Sequence, residues 1–195
     1  MQPLTVLFFG SQGAGKNTQV DLLIKYLKKR SERDVIYIDM GAELRAMIAA
    51  GGHTAPLVRE VLDVGRRMPD FMPIYLQTKK LVENFTGEEH VIADGLARGP
   101  DQTRGWDDAM KFYGRGEYQV ISLEISEETS IKRLLARGRH DDTEDAIRNR
   151  LAWHKKEVEP QLQFLAERGR TIHHIDGEAD SESIHKIILS DLKLA

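Results

Sequence analysis

Leu4-Thr5-Val6-Leu7-Phe8-Phe9 runs without a break into Gly10-Ser11-Gln12-Gly13-Ala14-Gly15-Lys16-Asn17-Thr18-Gln19. The first part is apolar or β-branched throughout and predicts a buried strand. Three glycines then let the backbone curl until several N–H groups converge on one anion, and Lys16 adds a charge that can reach the β- and γ-phosphates of a nucleotide. Beyond the loop, Val20, Leu23, Ile24 and Leu27 recur at helical spacing. Strand, glycine loop and helix in that order predict a phosphate-binding loop backed by a helix N-terminus. The contacts to nucleotide phosphate are expected from Gly13, Ala14, Gly15, Lys16, Asn17 and Thr18. Asn17 stands where such loops place a Ser or Thr hydroxyl on Mg²⁺, and Thr18 follows it.

The chain of 195 residues is long enough for one well-packed α/β domain. A formal charge of −3 gives no basic field for duplex nucleic acid. With no cysteine there is no disulfide, thiol nucleophile or cysteine-ligated zinc. The leading apolar run is too short for a signal peptide or a membrane span. The expectation is therefore a cytoplasmic protein with no membrane or nucleic-acid partner. A monomer is expected as well, although composition and charge do not bear on it.

Apolar runs recur at Leu4–Phe9, Val35–Ile38, His90–Ala93, Val120–Ile125 and Thr171–Ile175, with helical patterns between them. That alternation predicts a P-loop NTPase-type fold: a doubly wound, parallel, five-stranded sheet with helices on both faces. Residues 1–195 are expected to form a single domain. After Pro56, Leu57, Glu60, Val61 and Val64 read as one helical stripe, and Asp70 reads as an N-cap. Thr143 to Arg168 reads as one long helix that Pro160 should kink or divide. Ser181 is expected to cap the last helix, with Ile184, Ile187, Ile188 and Leu192 facing inward.

Further motifs carry chemistry. His90-Val91-Ile92-Ala93-Asp94-Gly95 ends a strand in an acid beside the first loop, the place for a carboxylate that holds Mg²⁺ through water. The chain continues Leu96-Ala97-Arg98 and reaches Gln102 eight residues past that acid. Upstream lie Gly41-Ala42-Glu43-Leu44-Arg45 and Gly65-Arg66-Arg67-Met68-Pro69-Asp70. Downstream, Arg133 and Arg137 share a helix face, followed by Arg139-His140-Asp141-Asp142 and then Arg150. Guanidinium forks suit phosphoryl transfer, where the protein mostly positions and neutralises charge.

Taken in order, these segments resemble the adenylate kinases among the nucleoside monophosphate kinases, in a short-lid form. The resemblance covers nearly the whole chain and implies reversible transfer, MgATP + AMP giving two ADP. It implies an acceptor-binding insert at 40–70, a short lid at 133–150 and a core from the remainder. Lys16, Arg98, Arg139 and Arg150 would be catalytic. Arg133 would stack on the ATP adenine and Arg137 would join the ATP phosphates. AMP would meet Gly41, Arg45, Met68, Gly95, Arg98, Gln102, Arg139 and Arg150, with Arg45 clamping its phosphate and Gln102 reading its base. The cofactor would be Mg²⁺ with ATP, held through water at Asp94, with no structural zinc.

Departures from the family pattern are specific. Asn17 replaces a Gly, Met40 and Ala42 replace a polar Thr and Asp, and Ala97 replaces a Pro. Only Gly138 separates Arg137 from Arg139, so the lid arm is almost absent. Gln102-Thr103-Arg104-Gly105-Trp106 resembles the Asn-x-x-Gly-Trp of UMP/CMP kinases, which keeps that activity open as an alternative. A nucleotide-binding regulatory module without transfer is a third. His173 and His174, adjacent on a strand, should face opposite ways.

Overall fold

The computed structural model describes residues 1–195. Five parallel strands, β1 (Thr5–Gly10), β2 (Val35–Asp39), β3 (His90–Asp94), β4 (Gln119–Glu124) and β5 (Thr171–Asp176), form one sheet in the order β2-β3-β1-β4-β5. The predicted sheet is therefore observed. Its strands extend one residue beyond the apolar runs where Gly10, Asp39 and Asp94 join the ladder.

Because β1 is central, alternate side chains enter two cores. Leu7 and Phe9 pack with Val91, Trp106, Val120 and Leu165 on one face. Val6 and Phe8 pack with Leu23, Leu27, Ile121 and Ile188 on the other. Helix α1 (Lys16–Arg30) covers the second face beside α9 (Ser181–Asp191). Between β2 and β3 lie α2 (Met40–Ala50), α3 (Thr54–Asp63) and α4 (Phe71–Asn84). Helix α5 (Pro100–Phe112) precedes β4, and α6 (Glu127–Arg137), α7 (Glu144–Trp153) and α8 (Glu159–Glu167) lie between β4 and β5.

Several local expectations are corrected. In α3 the buried residues are Ala55 and Val58, while Leu57 and Val64 are exposed. Val61 of the predicted stripe does pack against the core, together with Leu62. In α9, Ile187 is exposed, and the cap is Asp180, whose carboxylate accepts from Glu182 N and Ser183 N. Asp70 sits at the N-cap position of α4 without making a cap bond, because its carboxylate is taken by Arg67 and Gln102. The long helix divides at a π-helical turn, His154–Val158, just before Pro160. Proline offers no N–H to the preceding turn, and the wider turn absorbs that loss without a break.

Candidate active site

The phosphate loop depends on a backbone contact that excludes side chains. Gly10 has φ +132°, and a Cβ there would stand 2.4 Å from the Leu123 carbonyl oxygen of the neighbouring strand. Only glycine lets β1 leave the sheet at that point. Lys16 opens α1 and curls back, its Nζ donating to the carbonyls of Gly10 (2.8 Å) and Ser11 (2.9 Å). Burial pulls its pKa down, and Arg98 adds to this, while Asp94 and Asp39 oppose it.

Asp94 and Asp39 are register partners at the C-terminal ends of β3 and β1's next-but-one neighbour β2. Asp94 is buried, and its Oδ1 has no hydrogen-bond partner. Burial pushes its pKa up, partly offset by Lys16 and Arg98. Such an orphaned carboxylate oxygen needs a cation or bound water, so the residues fit hydrated Mg²⁺. Asp39 caps α2 by accepting from Ala42 N (3.0 Å) and takes a bond from Asn17 Nδ2 (3.1 Å). Asn17 also reaches the Tyr37 hydroxyl at 3.2 Å. Asn17 therefore braces the carboxylate at the end of β2 in place of offering a hydroxyl.

Two cavities meet over this loop. The larger, about 430 Å³, is lined by Gly13, Lys16, Thr18, Arg133, Arg137 and Arg139 among others. The smaller, about 100 Å³, is lined by Gly41, Arg45, Arg98, Arg139, Arg150 and Trp153 among others. Gln12, Arg137 and Arg139 belong to both walls. The geometry thus provides adjoining compartments with arginines at their junction.

The arginines are held in different ways. Arg133 donates to the carbonyls of Gly13 (3.3 Å) and Gly177 (3.0 Å), bridging the phosphate loop to the end of β5. Arg137 grips Asp142 with two bonds, of 2.8 and 2.7 Å, and Arg150 adds one of 2.8 Å. Arg150 also takes Asp141 Oδ2 at 3.0 Å. Asp142 is the buried hub: desolvation alone would raise its pKa, but the bonds and charges of Arg137 and Arg150 hold it below the ordinary value. Arg139 is exposed and meets this hub only through its backbone N–H, which leaves its side chain free for the cavities. Arg98 lies with its guanidinium carbon 5.5 Å from the centre of the Trp153 ring.

On the other side, Arg45 stands 3.9 Å from Asp39 Oδ2 and lines the smaller cavity. Met68, Gly95 and Gln102 are not on that wall. Gln102 is 1% exposed. Its Nε2 donates to Asp70 Oδ1 (2.7 Å), and its Oε1 accepts from Arg98 N (3.2 Å). One N–H and one lone pair of the amide take no partner from these two bonds. Trp106, which carries the resemblance to the pyrimidine kinases, lies fully buried against Tyr118 and reaches neither cavity.

Sequence reasoning missed Trp153, His154 and Asp39. His154 opens the π turn, and burial, with Lys16 and Arg98 nearby, pushes its pKa down to about 3, so it is neutral. Nothing in a sequence announces a π turn, although Pro160 pointed to the disturbance. His140, adjacent to two acids, instead lies 3.0 Å from Asp63, and no group of three or more His, Cys, Asp or Glu side chains is placed to hold a metal directly. His173 and His174 take separate partners, Gln119 and Glu124.

Fold and site together define a P-loop nucleotide kinase with two compartments beside one phosphate loop. The family model described as adenylate kinase matches residues 8–170. An adenylate kinase of Prochlorococcus marinus (strain MIT 9301) is 31% identical over 188 residues, 96% of this chain and 96% of that protein. Adenylate kinase 1 of Synechocystis sp. is 31% identical over 179 residues, 92% and 91% of the two chains. An adenylate kinase of Stenotrophomonas maltophilia is 27% identical over 194 residues, 97% of this chain and 100% of that protein. The chain belongs to the adenylate kinase family.

Proposed function

We propose that the protein transfers the γ-phosphoryl group of ATP to AMP, reversibly, giving two ADP. The observation that carries this reading is the junction of two cavities at Arg137 and Arg139 directly over the loop of Lys16. ATP occupies the larger cavity, its phosphates on the backbone N–H groups of Gly13–Thr18. AMP occupies the smaller, with Arg45 on its phosphate and the 40–70 segment acting as its insert. A phosphate oxygen of AMP then attacks the γ-phosphorus in line while the bond to the ADP oxygen breaks.

Charge spreads over the equatorial oxygens as this happens, and fixed cations in a site shielded from water stabilise it. Lys16 supports the β- and γ-oxygens. Arg98, Arg139 and Arg150 face both phosphate groups from the core and from the 133–150 segment, which serves as a short lid. Mg²⁺ would be held through water by Asp94, with Asp39 beside it, and when bound supplies charge neutralisation on the β- and γ-phosphates. Arg133, tied to Gly177 on the wall of the larger cavity, borders the space for the ATP base. Gln102 reads the N1/N6 edge of AMP with its remaining donor and acceptor. The protein is taken to act as a monomer in the cytoplasm. No helix is long and apolar enough to cross a membrane.

A coupled assay of ADP formation with AMP, UMP, CMP, GMP and dTMP tests the acceptor. AMP is expected to give the highest kcat/KM, and faster use of UMP or CMP would overturn the assignment.

A further inference from the structure

The turn that ends α3 is bonded to the far side of the cleft at three successive residues. His140 Nε2 lies 3.0 Å from Asp63 Oδ1, Asn149 Nδ2 donates to Val64 O at 3.1 Å, and Trp153 Nε1 donates to Gly65 O at 2.8 Å. The approach is as close as backbones allow. Gly65 has φ +68°, and a Cβ there would stand 2.2 Å from the Ala146 carbonyl oxygen of α7.

Trp153 is the member of this seam that also touches the chemistry. It sits one helical turn after Arg150, so both side chains leave α7 on the same face, and both line the smaller cavity. Its indole N–H is spent on Gly65, while its ring faces the Arg98 guanidinium. The two contacts are geometrically linked, because a rigid bicyclic ring cannot swing to follow Gly65 without changing the surface it offers to Arg98. The π turn begins at the next residue, so α7 keeps its own register here, separate from α8.

We propose that Trp153 is a positioning residue that ties closure of the acceptor segment to the placement of Arg98. When the Asp63–Gly65 turn docks on α7, the Trp153 N–H bond forms and the ring supports Arg98 toward the transferring phosphoryl group. When the turn lifts, both are lost together. This rests on the reading of the smaller cavity as the acceptor site.

Two substitutions separate the two contacts. Trp153→Phe keeps an aromatic face and removes the N–H, leaving the Gly65 carbonyl unpaired. KM for AMP should rise about threefold to tenfold, the worth of one neutral hydrogen bond, with the larger part of the loss in KM and not in kcat. Trp153→Leu also removes the face under Arg98, and kcat should fall further, on the order of tenfold. A residue that only fills space would give Trp153→Phe close to wild type in both constants, and that result overturns the proposal.

Fluorescence gives an independent readout, since Trp106 is the second of only two tryptophans. In a Trp106→Phe background, AMP should change the Trp153 emission and ATP alone should change it much less. Emission insensitive to every nucleoside monophosphate overturns the coupling. Emission that responds to UMP or CMP but not to AMP supports the coupling and overturns the acceptor assignment instead. If Trp106→Phe does not fold, the comparison of the two Trp153 variants in the natural background decides.

Discussion

Replacing Asp142 by alanine should both loosen the protein and slow it, and the size of the effect follows from its bonds. The Asp142 carboxylate receives two bonds from Arg137, one from Arg150 and one from the backbone N–H of Arg139. The Arg137 side chain is 33% exposed, so water replaces much of that pairing, and its share is about 0–1 kcal/mol. The Arg150 side chain is 9% exposed. Breaking a buried pair costs about 3–5 kcal/mol, but Arg150 retains Asp141 at 3.0 Å, which cuts this roughly in half. With the lost backbone bond at about 1 kcal/mol, the total is about 2.5–4.5 kcal/mol. For a chain of this size that lowers Tm by roughly 5–15 °C. Because Arg139 and Arg150 lose their common anchor, kcat should fall as well. Thermal unfolding by circular dichroism and initial rates on the same preparation measure both. A Tm within about 1 °C of wild type together with unchanged kcat would refute the hub. The sign with pH is also set. The folded pKa of Asp142 lies below the ordinary 3.8, so its stabilisation is present above that value and is lost as pH falls through the folded pKa. Asp142→Asn should flatten the acid limb of the stability curve below about pH 4.

Lys16→Ala and Arg98→Ala should each lower kcat by a factor on the order of 10²–10³, as for the loss of one strong electrostatic donor; near-normal turnover would mean the active site lies elsewhere. Gln102→Ala should impair use of AMP more than binding of ATP, and equal losses measured by isothermal titration against each nucleotide would remove its role as base reader. Gly65→Ala forces both a strained φ and a collision with the Ala146 carbonyl, so KM for AMP should rise several-fold while ATP affinity changes little. Titration of ATP and AMP separately against that variant checks the difference.

The sheet and its loop were legible because their causes are local. Leu4–Phe9 carries the strand pattern, and the glycines that follow it allow a backbone that few other residues can adopt. The stripe in α3 misled in part because Leu57 and, just past the helix, Val64 lie at helical spacing but with exposed side chains, whereas Val58 joins the core and Val61 packs against it. Asp70 and Ser181 misled for a related reason. A capping residue type marks a place where the chain can turn, but the partner of its side chain is chosen by tertiary neighbours, here Arg67 and Gln102 for Asp70. At the site, Lys16 could be found from its loop, and the arginines from the ordered resemblance of their motifs to the adenylate kinases. Their anchoring could not, since Asp142, Trp153 and Asp39 act through bonds to residues on other elements. The buried setting of Gln102 was equally invisible, because it depends on α4 closing over α5.

The central claim is that one molecule of ATP and one of AMP lie end to end across the two cavities. A crystal structure with a bisubstrate analogue, two adenosines joined by a polyphosphate, tests it most directly. One adenosine should occupy the 430 Å³ cavity beside Arg133 and the other the side of Arg45, with the linking phosphates against Lys16, Arg98, Arg139 and Arg150. An analogue bound in the larger cavity alone, with its second adenosine in solvent and no phosphate near Arg98 or Arg150, would contradict the claim.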